Sequence, residues 1–292
     1  EDINTIYNCT NFFIDKARKP ICNVPLLIRG NIPYDDGHLL LSEDEKNAVL
    51  QNEPQLKPFI KRYGGARELL SNKWRYSLWL IDVTPDVIRN STFLQDRLEK
   101  CKIFRENSKS KSINSKSETP TLFGDIRQPK SDYLLVPRIS SHRRKYFPIG
   151  FVKKEVILAD SSYGLPNATQ FHFGIIQSFM HNVWLRTVAG KLKSDFRYSN
   201  TIVYNNYPWP KEVSAKNKKS VEEKAQKVLD VRLAFPESSL AVLYDPIAMP
   251  PKLTKAHNEL DKAVDKCYRL QPFTNETTRI EYLFSLYKEY TV

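Results

Sequence analysis

The period of the apolar positions changes several times along the chain. Trp74 to Ile81 (WRYSLWLI) is dense in aromatic and β-favouring residues and predicts a strand. Pro85 then opens a helix at its first turn, and Val87, Ile88, Leu94, Leu98 and Cys101 follow at near-helical spacing. Between 133 and 160 the segments DYLLVPRIS, YFPIGFV and EVILAD predict strands. Asn167 or Thr169 can cap a helix on which Phe173, Ile176, Met180, Val183, Trp184 and Thr187 recur at spacings of three and four. Gly190 stands where the residue after a helix end would be, and His172 and His181 are expected to pack or cap on this helix. TIVYNNYPWP predicts a strand ending in a proline-locked turn. From Ser220 the pattern is purely helical. Ser220 and Glu223 form a capping box ahead of Val221, Ala225, Val228 and Leu229. Two further stripes follow, Leu253-Ala256-Leu260-Val264-Cys267 and Ile280-Leu283-Phe284-Tyr287, and aliphatic stripes of this kind are core.

Other stretches lack a period. Residues 1–60 mix short apolar runs with Gly, Pro and Asp and read as a linker. Gly64-Gly65 reads as a turn or helix break. Residues 106–120 (ENSKSKSINSKSETP) hold too few apolar side chains to fold alone and predict a mobile basic loop. The class expected is α+β, a mixed strand and helix domain over 61–210 followed by a small all-α domain over 211–292.

Charge adds a functional direction. The 292 residues carry a formal net charge of +12. Residues 1–101 are net zero, 102–145 are +7, 146–220 are +6 and 221–292 are −1. A surplus confined to the middle of the chain asks for a polyanion, and nucleic acid is the partner expected. Ser141, Arg143, Arg144 and Lys145 stand together at a predicted strand-to-strand turn, where cations and a hydroxyl suit phosphate contact.

Several classes are excluded or left without support. No apolar run approaches the roughly 20 residues of a spanning helix, so no membrane partner is expected. EDINTIYNCT has neither a basic n-region nor an apolar h-region, so a cytoplasmic protein is expected. It also lacks an initiator Met, as a piece of a longer protein would. Cys9, Cys22, Cys101 and Cys267 are scattered, with no zinc-ligand spacing and no disulfide framework. The nine Gly form no cofactor-binding strand-to-helix turn, and neither G-x-x-x-x-G-K-[ST] nor G-x-S-x-G occurs. A carboxylate–Lys cluster of the metal-dependent nuclease type is also missing, so the chain itself is expected to bind rather than catalyse, with no cofactor or metal of its own.

Five ordered blocks resemble one family: KPFIKRYGGARELLSNKWRYSLWL, VPRISSHRRKYFPIGF, FHFGIIQSFMHNVWLRTVAGKLKSDFRYS, NTIVYNNYPWP and LAVLYDPIAMPPKLTKAHNELDKAVDKCYR. Together they look like the C-terminal third of MmeI-like type II restriction-modification proteins. Those chains join a nuclease, an adenine-specific DNA methyltransferase and a target recognition domain. The resemblance implies that this chain is the target recognition domain plus the helical C-terminal domain. Its partners would be double-stranded DNA and the methyltransferase domain of the same parent chain. The Asn-Pro-Pro-Tyr active site, S-adenosylmethionine and, where a nuclease is present, Mg2+ belong to the preceding part.

The family's specificity determinants fall in the loop that matches GKLKSDFRYS. Carried over, Lys193 and Asp195 are paired base readers, Arg197 is another, and a second cluster falls on Arg138, Asp160 and Ser161. An ammonium can donate to guanine O6 and N7 and a carboxylate can accept from cytosine N4, so the pair suits one G·C base pair. Lys191 joins the phosphate contacts. The alternatives are a stand-alone enzyme, or a module that binds RNA or DNA without sequence preference. The 15 Tyr and 15 Phe that an RNA reader would need lie mostly in apolar stretches.

Overall fold

The computed structural model describes residues 14–291. The start of the 1–60 segment, including Cys9, lies outside the described residues. The strands are β1 (Ile28–Arg29), β2 (Leu40–Leu41), β3 (Ile60–Gly64), β4 (Arg75–Leu78), β5 (Tyr133–Pro137), β6 (Ile139–Ser140), β7 (Gly150–Val152), β8 (Ile157–Leu158), β9 (Ser162–Pro166), β10 (Gly190–Leu192) and β11 (Asp195–Arg197). The helices are α1 (Glu43–Asn52), α2 (Ala66–Ser71), α3 (Pro85–Arg89), α4 (Thr92–Glu106), α5 (Lys111–Asn114), α6 (Gln170–Gln177), α7 (Phe179–Val188), α8 (Ala215–Leu233), α9 (Leu240–Leu243), α10 (Pro251–Tyr268) and α11 (Glu276–Thr291). The fold is α+β, and the strand-rich part of the chain precedes a helical one.

Packing divides the chain into two compact units. One comprises Ile28–Leu135 and Phe151–Gly164. Its sheet runs β2–β4–β3–β8, antiparallel except for the parallel β3–β8 pair. The sheet and α4 enclose Leu39, Leu41, Leu56, Leu78, Leu94, Leu98 and Cys101. The strand expected from Trp74 is β4, along which burial rises from exposed Arg75 to buried Ser77 and Leu78. The helix expected after Pro85 is two helices, because Ser91 turns extended and caps α4 by accepting the Leu94 N–H at 3.0 Å. Within residues 1–60 the chain also forms α1, whose Ser42 and Glu45 make a reciprocal capping box. Val49 is its one buried residue, so no apolar stripe announces it.

Residues 106–120 carry more structure than their composition suggests. Arg105 is fully buried, and its guanidinium donates to the carbonyls of Pro33, Tyr34, Lys116, Thr119 and Leu122 at 2.7–2.9 Å. Five donors meet five acceptors, so the segment is wound around one cation, with α5 as a single turn inside it.

The other unit comprises residues up to Leu27, Val136–Gly150 and Leu165–Val292. The helix expected from Thr169 splits at Ser178, which is extended, bonds back to Ile175 O at 2.7 Å and caps α7. Gly190 follows the helix end as expected, one residue after the extended C-cap Ala189, and is also the first residue of β10. The expected strand in TIVYNNYPWP is a π-helical turn over Asn200–Tyr204. Its carbonyls are taken by side chains: Asn206 Nδ2 donates to Thr201 O at 2.9 Å and Trp184 Nε1 to Val203 O at 3.0 Å. These bonds override the β preference of Thr, Ile and Val. α8 begins at Ala215, capped by Ser214 rather than Ser220. It packs on α10 and α6, and at Gly174 of α6 a Cβ would stand 2.6 Å from Val221 Cγ1. The helices of 213–291 therefore share one core with α6 and α7.

Candidate nucleic-acid interface

The loop carrying Lys193 and Asp195 is a β-hairpin in this second unit. β10 and β11 are antiparallel, with Gly190 opposite Arg197, Lys191 opposite Phe196 and Leu192 opposite Asp195. The connection is therefore two residues long, Lys193-Ser194. Lys193 sits at φ 55°, a left-handed conformation that costs a non-glycine residue about 1–2 kcal/mol. β11 continues onto β6, with Phe196 opposite Ser140 and Arg197 opposite Ile139. Tyr198 N–H donates to Arg138 O at 2.9 Å and extends the same register.

That register sorts the side chains onto two faces, because neighbours along a strand point to opposite sides. Ser140, Phe196 and Tyr198 share the inner face, and Ser140 and Tyr198 are buried. Leu192, Asp195, Arg197 and Ile139 share the outer face, with Ser141 continuing it past β6. Leu192, Arg197 and Ile139 are exposed and Asp195 is half-buried.

Asp195, the first residue of the central strand, is held by His142. The His142 backbone N–H donates to Asp195 Oδ1 at 3.3 Å, and its ring Nδ1 lies 3.5 Å from the same oxygen. The basic turn follows directly. Ser141 folds it by accepting the Arg144 N–H on its carbonyl at 3.2 Å and the Arg143 N–H on its hydroxyl at 3.4 Å. Its three cations differ in availability. Arg143 is exposed. Arg144 is half-buried, which lowers its guanidinium pKa, while Asp245 and Asp195 act in the opposite sense. Lys145 Nζ lies 5.2 Å from the ring centroids of both Tyr146 and Phe179. Arg186 braces the turn by donating to Arg144 O at 3.0 Å and Lys145 O at 3.3 Å.

A buried polar network lies beneath this turn. Tyr146 O–H donates to Asp261 Oδ2 at 2.7 Å, and Asp261 Oδ1 accepts the Phe179 N–H at 2.8 Å. Tyr146 stacks on His257 at 4.1 Å between centroids. Arg232 donates to Tyr244 Oη at 2.8 Å, Ile149 O at 2.7 Å and Gln177 Oε1 at 2.9 Å. With its oxygen receiving Arg232, Tyr244 gives its own proton to His257 Nε2 at 2.7 Å. Burial holds His257 neutral and pushes the Asp261 carboxyl up to about 6. His181 is also buried and neutral, its pKa pulled down to about 3, with Nε2 at 2.9 Å from Tyr198 Oη.

The expected site residues are divided between the two units. Lys193, Asp195 and Arg197 lie on the hairpin, and Ser141, Arg143, Arg144 and Lys145 lie beside it. Lys191 is exposed but faces away from Asp195 and Arg197. Arg138 lies opposite Tyr198 on the inner side of the sheet and is half-buried. Asp160 and Ser161 belong to the other unit, where Asp160 pairs with Arg29 at 3.1 Å. There Ser161 Oγ lies 2.2 Å from where a Gly65 Cβ would be. Gly64-Gly65 is thus a site of close packing at a strand-to-helix junction. Sequence reasoning missed Ile139, Leu192 and the role of His142: Ile139 alternates with Arg138 and Ser140, but Leu192 and Phe196 fall on opposite faces across the two-residue turn, which no period in KLKSDFR announces.

Among the described residues no three His, Cys, Asp or Glu side chains converge as a metal site. No helix there is long and apolar enough to cross a membrane.

Comparison with known proteins identifies the family. The family model for the MmeI target recognition domain matches residues 8–211, and that for the MmeI C-terminal domain matches 213–292. DNA methyltransferase A of Bacillus subtilis (strain 168) is 36% identical over 281 residues, which cover 96% of this chain and 32% of that protein. A solved structure of the Type IIL restriction-modification enzyme MmeI in complex with DNA aligns with a TM-score of 0.93 at 40% identity, covering 97% of this chain and 38% of the other. The chain thus spans about a third of the length of these relatives. It belongs to the MmeI family, of which it carries the target recognition domain and the C-terminal domain.

Proposed function

We propose that this chain selects the DNA sequence on which a longer adenine-specific methyltransferase of the restriction-modification type acts. The observation that carries the reading is the outer face of β6–β11–β10. It presents a carboxylate and a guanidinium from one strand, beside a turn of three cations. A two-stranded ribbon fits the major groove, where carboxylates accept from cytosine and cations donate to guanine. Lys193, Asp195 and Arg197 would read bases. Ser141, Arg143, Arg144, Lys145 and Lys191 would contact phosphate. For Arg138, Asp160 and Ser161 base readout rests on the family resemblance alone. In this reading residues 61–210 recognise DNA and 211–292 form the helical C-terminal domain.

The parent enzyme would use S-adenosylmethionine, which supplies the methyl group, and Mg2+ for any cleavage. The residues present do not fit S-adenosylmethionine. At the strand–glycine–helix junction Gly64-Gly65, Ser161 fills the space beside Gly65, and the Glu68 carboxylate takes the Gly65 N–H at 2.8 Å. No step of methyl transfer is therefore assigned to this chain. Its described cysteines Cys22, Cys101 and Cys267 are free thiols, which suits the cytoplasm.

Selection from random duplexes tests the reading. One preferred sequence should emerge, and binding should weaken steeply as salt rises. Exchanging Lys193→Glu together with Asp195→Arg should change the base preferred at one position. Unchanged preference would remove that pair from the readout. Equal affinity for single-stranded RNA and for every duplex would favour a non-specific module.

A further inference from the structure

The outer face of the small sheet holds two large aliphatic side chains that neither the phosphate contacts nor the polar base readers use. Leu192 is 52% exposed and lies directly across from Asp195. Ile139 is 41% exposed and lies directly across from Arg197. Single exposed apolar residues need no explanation. Here the two bracket Asp195 and Arg197 on one three-stranded face. The sheet already has an apolar side, where Phe196 and buried Tyr198 turn inward, so folding does not require a second one.

A face that alternates aliphatic, acidic and basic groups matches the edges of base pairs. In the major groove the bases offer amino donors, carbonyl and ring-nitrogen acceptors and one apolar group, the thymine 5-methyl. Directly opposed side chains in a sheet stand about 5 Å apart at Cβ, and base pairs rise by about 3.4 Å. An aliphatic group beside Asp195 or Arg197 would therefore face the same base pair or its neighbour.

We infer that Leu192 and Ile139 are specificity-determining residues that contact thymine 5-methyl groups next to the bases read by Asp195 and Arg197. The inference rests on the duplex-reading function proposed above and extends it from polar to apolar recognition. Covering of these side chains by another part of the longer protein is the competing occupancy, and the test separates the two.

The 292-residue chain is first used to select its preferred duplex. Each thymine of that duplex is then replaced in turn by deoxyuridine, which lacks only the methyl, and binding is followed by fluorescence anisotropy. At one or two positions deoxyuridine should weaken binding about fourfold, the transfer free energy of one buried methyl-sized group expressed as a ratio. In Leu192→Ala or Ile139→Ala the loss at the matching position should disappear, while losses elsewhere stay. Leu192→Val and Ile139→Val, which keep an apolar group on the same strand, should retain part of it. Unchanged circular dichroism and an unchanged urea unfolding midpoint show that each variant is folded.

Deoxyuridine without effect at every position, losses that persist in both alanine variants, or a preferred duplex without thymine would each overturn the inference and leave duplex reading intact. Failure to select any preferred duplex would instead remove the reading on which it rests, and the inference with it.

Discussion

The outer face of β6–β11–β10 and the buried network around Arg232 use the same side-chain types. Each contains an arginine, an aspartate and a histidine, and both belong to the same compact unit. In the buried network Asp261 is 8% exposed and accepts from two donors, and Arg232 has three acceptors fixed around it. On the sheet, the Asp195 side chain is 40% exposed and is held from one side by His142. The difference teaches that residue type does not decide whether a charge is structural or available. A polar group whose bonds are completed inside the protein fixes a shape. One whose bonds are half-completed can finish them on a ligand, and it is worth little to stability.

The comparison breaks most visibly at Arg232. Arg232→Leu should lower unfolding free energy by about 3–5 kcal/mol in urea titration, because Ile149 O and Gln177 Oε1 lose a buried charged donor. A loss below ~1 kcal/mol would place Arg232 with the surface charges instead.

Asp261 supplies a pH test of the same buried side. Its folded pKa of about 6 lies above the ordinary carboxyl value of 3.8, so the folded state binds the proton more tightly. Its contribution is therefore fully present below pH 3.8 and is lost as pH rises through about 6. That loss amounts to about 3 kcal/mol by linkage. Asp261→Asn can still accept the Phe179 N–H and can donate to Tyr146 Oη, so it should gain on the wild type as pH rises from 4 to 8. Parallel curves for the two proteins would refute this. His181 runs the other way. Its pKa of about 3 means that stability present above pH 6.5 is lost as pH falls below it, by about 2 kcal/mol at pH 5.

On the exposed side the ordering should reverse. Asp195→Ala should leave the unfolding midpoint nearly unchanged and remove about 1–3 kcal/mol of discrimination at one base pair, read by competition between matched and mismatched duplexes. His142→Ala should cost less discrimination, under ~1 kcal/mol, because the contact to Asp195 is long and partly exposed. The smallest effect belongs to Arg143→Ala. Affinity should weaken alike for all duplexes, and the slope of log affinity against log salt should fall by about 0.9.

Much of this organisation is legible in the chain. The strand at Trp74, the helix opened by Pro85 and the aliphatic stripes through Leu260 and Leu283 follow from periodicity, which reports the face that burial selects. Helix α1 escaped because one buried Val49 makes no stripe, although its Ser42–Glu45 capping box was there to be read. The turn over Asn200–Tyr204 escaped because its carbonyls are satisfied by Asn206 and Trp184 side chains, which propensity does not see. For the candidate site, motif and charge placed the hairpin residues and the basic turn. They did not show that Leu192 and Ile139 share a face with Asp195 and Arg197.

The sequence by itself determined the α+β class, the basic middle of the chain and the family, since these rest on composition, period and order of motifs. Tertiary structure alone decided which charges are spent. Arg105, Arg232 and Asp261 look no different along the chain from Arg143, Arg197 and Asp195. Burial removes water from the first three, and their bonds must then close within the protein. Strand register turns Asp195 and Arg197 to the outer face, and the turn after β6 leaves Arg143 exposed, where a bond to a ligand can still be made.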